Sequence, residues 1–181
     1  EPVLTFGDKL DVLMPLNQDT MNRHLRLMKS SSVVLYNGDK IKPGEAEADV
    51  QLCPFSVKEL APNIRGDLVQ NTIALAAVLR LIGVEFKILE DILTLQFKRK
   101  GETVIAENVG VARAGYDYAG AHFKPFAFSL PDTGKKLAFF EGNQALAMGG
   151  AAAGVRFYCA YPMSPASGVL HWMARHGRQL G

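Results

Sequence analysis

Two prolines near the carboxyl end constrain the local fold of this chain more than any other feature. Within residues 139–177, the sequence YPMSP places Met163 and Ser164 between Pro162 and Pro165. Proline fixes its own φ angle and restricts the conformation of the residue before it. The Ser164 hydroxyl is therefore expected to lie in a stiff turn.

The residues around this turn predict a helix, a strand and a second helix. The small residues of 145–153 predict a helix that Asn143 caps and Gly154 ends. Residues 156–160 predict a short apolar strand, and the second helix is expected to begin near Ser167. The turn would then lie at the carboxyl end of a strand, where open α/β sheets bind ligands. Alternatively, the turn only connects a strand to a helix.

The first part of the chain predicts Rossmann-like α/β layers. Residues 11–16 and 32–36 are apolar and predict two strands, and residues 20–28 between them predict a helix. This order predicts a parallel strand pair with a right-handed crossover. Residues 49–53 predict a third strand, followed by a short helix that Ser56 caps.

Three longer helices are expected to follow. Residues 67–83 have almost no polar face and predict a central, buried helix. Residues 87–100 are more amphipathic, and residues 102–118 predict the third helix. The apolar residues of the amphipathic helix form one stripe and a second row beside it: Ile88, Ile92 and Leu95, then Leu89 and Leu93.

Residues 120–137 predict a linker between two domains. They contain two prolines and two glycines and show no clear periodicity. The aromatic residues Phe123, Phe126 and Phe128 indicate that this linker packs against a neighbouring domain rather than swinging freely.

The charge balance argues against nucleic acid or a membrane as a partner. The 181 residues carry 20 basic and 18 acidic side chains, a net charge of +2, and the longest basic run is Lys98-Arg99-Lys100. The longest apolar run, 72–84, is interrupted by Arg80 and is shorter than the roughly 20 residues that span a bilayer. No signal peptide is recognisable, and a cytoplasmic protein is expected.

Cys53 and Cys159 lie in apolar surroundings and predict reduced, buried thiols. Neither belongs to a CxxC pair, so the chain by itself is not expected to hold an iron–sulfur cluster or a structural zinc ion. The chain begins at Glu1 rather than at a methionine, and an interior strand is predicted soon afterwards, at 11–16. We therefore expect a fragment or a processed product.

Several motifs that would define an enzyme class do not occur in the sequence, among them GxGxxG, the P-loop, GxSxG and HExxH. Asn71 is a polar residue expected to be partly enclosed near the start of the buried helix. It either satisfies backbone groups there or faces a ligand in a crevice.

The carboxyl-terminal part resembles a known enzyme family. Three segments resemble the start of the pyrimidine-binding domain of 2-oxoacid:ferredoxin oxidoreductases: EGNQA at 141–145, AAGVRFY at 152–158 and YPMSPAS at 161–167. The usual turn of that family reads YPITPSS. Here Met163 and Ser164 replace isoleucine and threonine, and Ala166 replaces serine.

The first part resembles the gamma domain of the same enzymes, without its amino-terminal glycine-rich portion. The matching segments are 11–18, 32–36 and 69–77. The fused domain order is similar to the large subunit of the 2-oxoglutarate type. The resemblance implies an α/β fold with a gamma domain at 1–119, a linker at 120–137 and, at 138–181, the first α-β-α unit of a pyrimidine domain.

The resemblance also implies an activity. These thiamine-diphosphate enzymes convert a 2-oxoacid and coenzyme A into an acyl-CoA, carbon dioxide and reduced ferredoxin. By this resemblance Ser164 contacts the 2-oxoacid, and Tyr161, Pro162 and Met163 belong to the cofactor pocket. The catalytic glutamate would lie beyond Gly181, so this chain is expected to contain no catalytic residue.

The same resemblance implies several partners and cofactors. Thiamine diphosphate with its magnesium ion would be bound by a beta subunit, and iron–sulfur clusters would belong to other subunits or domains, including a ferredoxin-like one. Coenzyme A would be the co-substrate and ferredoxin the electron acceptor. The fused order points to 2-oxoglutarate as the substrate.

Two other interpretations remain open. The chain could be a non-catalytic Rossmann-like module for nucleotide binding or assembly, which the replaced residues Met163 and Ser164 favour. It could also be a fragment of an unrelated dehydrogenase, against which the missing glycine fingerprint argues.

Overall fold

The protein divides into two compact units, residues 1–131 and 132–181. The computed structural model describes residues 7–46, 49–62, 64, 68–127, 134 and 138–180. In this part of the chain, no helix is both long and apolar enough to cross a membrane.

A parallel sheet of three strands forms the centre of the first unit. The strands are β1 (Leu10–Leu13), β2 (Met28–Asn37) and β3 (Val50–Phe55), in the order β1-β2-β3. Val12 pairs with Val33, and both neighbours of β2 run parallel to it. The predicted α/β class is confirmed, and β2 is longer than the strand expected at 32–36.

Helix α1 (Gln18–His24) makes the crossover from β1 to β2. The Asn17 side chain caps it, because its Oδ1 accepts a hydrogen bond of 2.8 Å from the Thr20 amide. The predicted end at residue 28 is wrong. The chain tightens into a 3-10 turn over Leu25–Leu27, and Met28 already belongs to β2.

Four more helices lie in the described part of the first unit: α2 (Val57–Leu60), α3 (Leu68–Leu81), α4 (Phe86–Phe97) and α5 (Glu102–His122). Ser56 caps α2 as predicted. Asp67, the first residue of the helix predicted at 67–83, lies outside the described residues. Helix α5 continues to His122, beyond the predicted end at residue 118.

Helix α3 is central and buried, as predicted. Ile73, Ala74, Ala76 and Ala77 are at most 1% exposed. Helix α5 crosses it closely at Gly115, where a Cβ atom would lie 2.7 Å from the Ile73 carbonyl oxygen. Only a residue without a side chain permits this approach.

The segment after α5 packs onto this core. Phe123 and Phe126 contact the buried cluster of the first unit, and the Phe126 amide donates a hydrogen bond of 2.9 Å to the Leu81 carbonyl. Gln51 holds the same segment from β3, since its side-chain amide makes two hydrogen bonds with the Lys124 backbone, of 3.0 and 3.1 Å. Phe128 lies outside the described residues.

The second unit contains helices α6 (Gly142–Ala152) and α7 (Ser167–Leu180). Gly154 ends α6 as predicted, with φ at 89°. The predicted cap, Asn143, is wrong. Glu141 is the capping residue, and its amide donates a hydrogen bond of 3.2 Å to the Gln144 side chain in a capping box.

The predicted strand at 156–160 is also wrong. Residues 155–163 are exposed and have no regular secondary structure. A strand requires a neighbouring strand for its hydrogen bonds, and no other strand occurs among the described residues of this unit. The expected α-β-α unit therefore consists of two helices joined by an irregular segment.

The two cysteines differ in environment, so the expectation that both are buried is wrong for one of them. Cys53 on β3 is completely buried, whereas Cys159 lies in the irregular segment and is exposed. Burial raises the pKa of the Cys53 thiol to about 11.

This difference predicts selective labelling. At pH 8, a thiol reagent such as Ellman's reagent should modify Cys159 rapidly and Cys53 only after the protein is unfolded, because the reactive form is the exposed thiolate. The Cys159→Ser variant should lose the rapid phase and keep the slow one. Rapid reaction of a thiol in native Cys159→Ser protein would contradict the buried position of Cys53.

Candidate functional site

The turn between Pro162 and Pro165, which we call the proline turn, lies directly before α7. Ser164 is exposed, and so are its neighbours Tyr161 and Met163, which are 83% and 63% exposed. The Ser167 amide donates a hydrogen bond of 3.1 Å to the Met163 carbonyl, which joins the turn to the first turn of the helix. The turn therefore presents the Ser164 side chain to solvent.

Asn143 anchors this turn from α6. Its side-chain Nδ2 donates a hydrogen bond of 2.7 Å to the Pro165 carbonyl. It also packs against Gly168 at the start of α7, where an added Cβ atom would lie 2.8 Å from the same nitrogen. Asn143 thus holds the turn and the beginning of α7 against α6, a role that the prediction of a helix cap missed.

A groove of about 570 Å³ runs beside the two helices of the second unit. Residues 154–158 form one wall, and α7 contributes Leu170, Met173 and Ala174. The groove does not include the proline turn. Tyr161, Pro162, Met163 and Ser164 therefore lie together on the surface, outside this groove.

A second cavity, of about 480 Å³, lies in the first unit at the carboxyl ends of β1 and β2. It is lined by residues that follow these strands and by the start of α3: Leu16, Asn17, Gln18, Lys40, Ile41, Gln70 and Asn71. We call it the strand-end crevice. Asn71 is exposed and faces it. Parallel sheets bind ligands at this edge.

A buried hydrogen-bond network holds the walls of the strand-end crevice together. Asn37 is 1% exposed, and its Nδ2 donates a hydrogen bond of 2.9 Å to Gln70 Oε1. Gln70 Nε2 in turn donates to the Leu16 carbonyl at 3.1 Å. The Asp39 amide completes the network by donating to Asn37 Oδ1 at 2.9 Å.

Sequence reasoning missed both members of this network. It gave no role to Asn37, which directly follows the strand predicted at 32–36, or to Gln70. The only sequence feature that could have drawn attention to Asn37 is its position at the end of an apolar run. No neighbouring residue indicated that its hydrogen-bond partner lies on α3. The network links β2, α3 and the loop after β1, so it sets the shape of the crevice.

Asp39 ties the loop after β2 to α2. Its carboxylate accepts hydrogen bonds from the Ser56 hydroxyl at 3.0 Å and from the Lys58 amide at 3.2 Å. Burial acts to raise the pKa of Asp39, but these hydrogen bonds outweigh it and lower the pKa below its usual value. The ionised carboxylate therefore stabilises the fold at neutral pH, and this contribution is lost as the pH falls through the lowered pKa.

The described residues contain no group of three or more His, Cys, Asp or Glu side chains that could hold a metal ion. The polar groups of the strand-end crevice are amides and one lysine. These groups suit recognition of a polar ligand through hydrogen bonds.

A parallel sheet with a polar crevice at its carboxyl edge, followed by a helix pair that carries a proline turn, defines an α/β protein of the Rossmann-like class. The family model described as pyruvate ferredoxin/flavodoxin oxidoreductase matches residues 1–118. The chain belongs to this family.

Its relatives are subunits of oxidoreductase complexes. The chain is 27% identical over 184 residues to the alpha subunit of 2-oxoacid:ferredoxin oxidoreductase 2 from Aeropyrum pernix, covering 95% of this chain and 28% of the relative. It is 26% identical over 208 residues to the 2-oxoglutarate oxidoreductase subunit KorA from Mycobacterium tuberculosis, covering 96% and 31%. The chain thus spans less than a third of the length of these curated relatives.

The fold is also similar to a solved enzyme structure. The 2-oxoglutarate:ferredoxin oxidoreductase from Magnetococcus marinus, solved with 2-oxoglutarate, coenzyme A and succinyl-CoA bound, matches with a TM-score of 0.86 and 28% sequence identity. The match covers 100% of this chain and 32% of that chain.

Proposed function

We propose that this chain is part of a thiamine-diphosphate-dependent 2-oxoacid:ferredoxin oxidoreductase. The complete enzyme would oxidatively decarboxylate 2-oxoglutarate to an acyl-CoA and pass the electrons to ferredoxin. The observation that carries this proposal is the match of the whole chain to the Magnetococcus marinus enzyme, which was solved with 2-oxoglutarate and coenzyme A.

Residues 1–119 would be the gamma domain, 120–137 the linker and 138–181 the start of the pyrimidine-binding domain. The family match over residues 1–118 supports the first assignment. The proline turn before α7 supports the last, because it belongs to one of the three segments that resemble the pyrimidine domain.

Ser164 would bind the 2-oxoacid. Its exposed hydroxyl can donate a hydrogen bond to the carboxylate or keto oxygen of the substrate. Asn143 holds the turn through the Pro165 carbonyl, so the Ser164 hydroxyl is positioned before the substrate arrives. Little conformational entropy is then lost when the substrate binds. Tyr161, Pro162 and Met163 would form the adjoining wall of the cofactor pocket.

The described residues do not fit thiamine diphosphate by themselves. They contain no group of three or more His, Cys, Asp or Glu side chains for magnesium, and the proline turn is exposed and lies outside the groove of the second unit. The diphosphate, its magnesium ion and the iron–sulfur clusters would therefore be held by partners, including a thiamine-binding beta subunit and a ferredoxin-like subunit. Coenzyme A would be the co-substrate.

Replacing Ser164 in the complete enzyme tests this role. The Ser164→Ala variant, assembled with the partner subunits, should lower kcat/KM for 2-oxoglutarate about tenfold to hundredfold, which corresponds to one lost hydrogen bond to a charged group. Ferredoxin reduction at varied 2-oxoglutarate concentration measures the effect. Ser164→Thr keeps the hydroxyl and should retain activity.

A matched control is Gly149→Ala on α6, an exposed position where an added Cβ meets no atom within 4 Å. It should leave kcat/KM unchanged. If Ser164→Ala leaves kcat/KM unchanged as well, the substrate contact is refuted. If the assembled complex shows no 2-oxoacid-dependent ferredoxin reduction at all, the non-catalytic assembly module replaces the enzyme assignment.

A further inference from the structure

A small pocket of about 190 Å³ lies in the first unit, where the carboxyl ends of α3 and α5 meet the segment after α5. We call it the Arg80 pocket, because Arg80 is the only charged residue among the described residues that line it. The rest of its lining is apolar or glycine and includes Leu81, Ile82, Phe123, Pro125 and Phe126. One basic group in an apolar lining suits an anion that carries an apolar body.

Hydrogen bonds hold the walls of the Arg80 pocket in place. The Phe126 amide bonds to the Leu81 carbonyl at 2.9 Å, so the segment after α5 is fixed to the end of α3. Gln51 holds the same segment from β3 through its two hydrogen bonds with the Lys124 backbone. The pocket is therefore formed before a ligand arrives, which lowers the cost of binding.

Two neighbours hold the Arg80 side chain. Its guanidinium lies over the Tyr116 ring, 5.3 Å from the ring centroid, and the Tyr116 hydroxyl donates a hydrogen bond of 2.8 Å to the Val84 carbonyl. The same guanidinium lies against Gly120, where an added Cβ atom would be 2.6 Å from Arg80 Nε and 3.1 Å from its Nη2. A side chain at position 120 would therefore displace the guanidinium from this position.

The N–H groups of this guanidinium have no acceptor in the described part of the chain. Arg80 is exposed, and its side chain makes neither an ion pair nor a hydrogen bond with any described residue. The Tyr116 ring attracts the positive charge but leaves these donors unpaired. A carboxylate accepts two parallel hydrogen bonds from a guanidinium, which makes it a well-matched partner.

The size of the Arg80 pocket limits what can bind. Pockets for drug-sized ligands have volumes of about 300–1,000 Å³, whereas this one has about 190 Å³. A small acid with a short apolar tail would fill it. A dicarboxylate such as 2-oxoglutarate would place its second charge against the apolar walls, where no group compensates for the loss of hydration.

We propose that the Arg80 pocket binds a small monocarboxylic acid with a branched apolar tail. The carboxylate pairs with Arg80, and the tail contacts Phe123 and Phe126. This inference does not depend on the proposed enzymatic function, because it rests on the residues of this pocket alone.

Titration of the 181-residue chain with 4-methylpentanoate at pH 7 tests the binding. Ligand-observed NMR should show saturable binding, and the side-chain Nε–H resonance of Arg80 should shift with the same dissociation constant. Three probes should bind at least about tenfold more weakly, since each lacks one of the two required features. They are 4-methylpentanamide, which has no charge, acetate, which has no tail, and 2-oxoglutarate, which has a second charge.

Substitutions test which groups bind the probe. Arg80→Gln should weaken the affinity for 4-methylpentanoate about tenfold to hundredfold, because a hydrogen-bonded charge pair is lost. Gly120→Ala should weaken it as well by displacing the guanidinium. Gly110→Ala on the same helix, where an added Cβ meets no atom within 4 Å, should bind like the wild type. Far-UV circular dichroism should show that all three variants are folded.

Ser164→Ala separates this site from the proline turn. It should bind 4-methylpentanoate with the wild-type affinity, whatever its effect on the assembled enzyme. The proposal is overturned if the wild-type chain shows no saturable binding, if the neutral amide binds as tightly as the acid, or if Arg80→Gln leaves the affinity unchanged. Loss of binding in Ser164→Ala would also overturn it, because the acid would then bind at the proline turn.

Discussion

Replacing Gly115 with alanine should destabilise the first unit by at least about 1–3 kcal/mol, the usual cost of forcing extra volume into a packed interior. The added Cβ would lie 2.7 Å from the Ile73 carbonyl oxygen and 3.0 Å from its Cα. These are backbone atoms of α3, so no rotamer change can relieve the contact. The helices α3 and α5 would have to move apart around the buried core.

Gly110 provides the matched control because it lies on the same helix, is exposed and has nothing within 4 Å of an added Cβ. Gly110→Ala should stabilise the protein by about 0.5–1 kcal/mol, since alanine favours the helix interior over glycine. Chemical denaturation monitored by far-UV circular dichroism measures the free energy of unfolding of both variants and of the wild type. Equal effects of the two substitutions would contradict the close approach of α3 and α5.

The second large effect is expected at the buried network of the strand-end crevice. Gln70→Ala removes the acceptor for Asn37 Nδ2 and the donor for the Leu16 carbonyl. A buried polar group that loses its partner costs about 1–3 kcal/mol. The free energy of unfolding should fall by that amount or more, because Asn37 is almost completely buried.

Asn71→Ala provides a control for Gln70→Ala, because Asn71 directly follows Gln70 in the sequence. Asn71 is exposed and contributes a wall of the same crevice without taking part in the buried network. Its substitution should change stability by no more than about 0.5 kcal/mol.

A double-mutant cycle of Asn37→Ala and Gln70→Ala should show a coupling energy of about 0.5–3 kcal/mol. Additive effects would mean that the two amides do not interact.

The single tryptophan helps to assign each destabilising effect to one of the two units. Trp172 lies on α7 in the second unit, so its fluorescence reports on that unit. Substitutions at Gly115 and Gln70 act in the first unit. We expect hydrogen exchange of α3 and α5 amides to accelerate in both variants, because local opening lowers protection where the packing is lost.

Local sequence signals predicted much of the fold correctly. The Asn17 and Ser56 side chains cap helices that follow them directly, and the start of α7 after the proline turn follows from Pro165 and Ser167. The parallel β1-β2 pair follows from the order of strand, helix and strand. Each of these features depends on residues that are close together in the sequence.

The errors occurred where residues far apart in sequence compete for the same groups. The sequence predicted that Asn143 caps the helix of small residues that follows it. Instead, its side-chain amide donates a hydrogen bond to the Pro165 carbonyl, and Glu141 takes the capping role. The apolar residues 156–160 suggested a strand, but no strand lies beside them in the described part of the second unit. On α4 the sequence predicted two adjacent apolar rows, but only the structure showed that the row of Leu89 and Leu93 faces the core.

The sequence by itself determined the α/β class, the parallel crossover, the buried character of α3 and the position of the proline turn, because caps, prolines and hydrophobic periodicity act over a few residues. Only the tertiary structure decided that Asn37 bonds to Gln70, that Gly115 touches Ile73 and that Asn143 holds the turn. These contacts join elements that are distant along the chain. Their geometry is set by how whole helices and strands pack, which no local pattern of residues encodes.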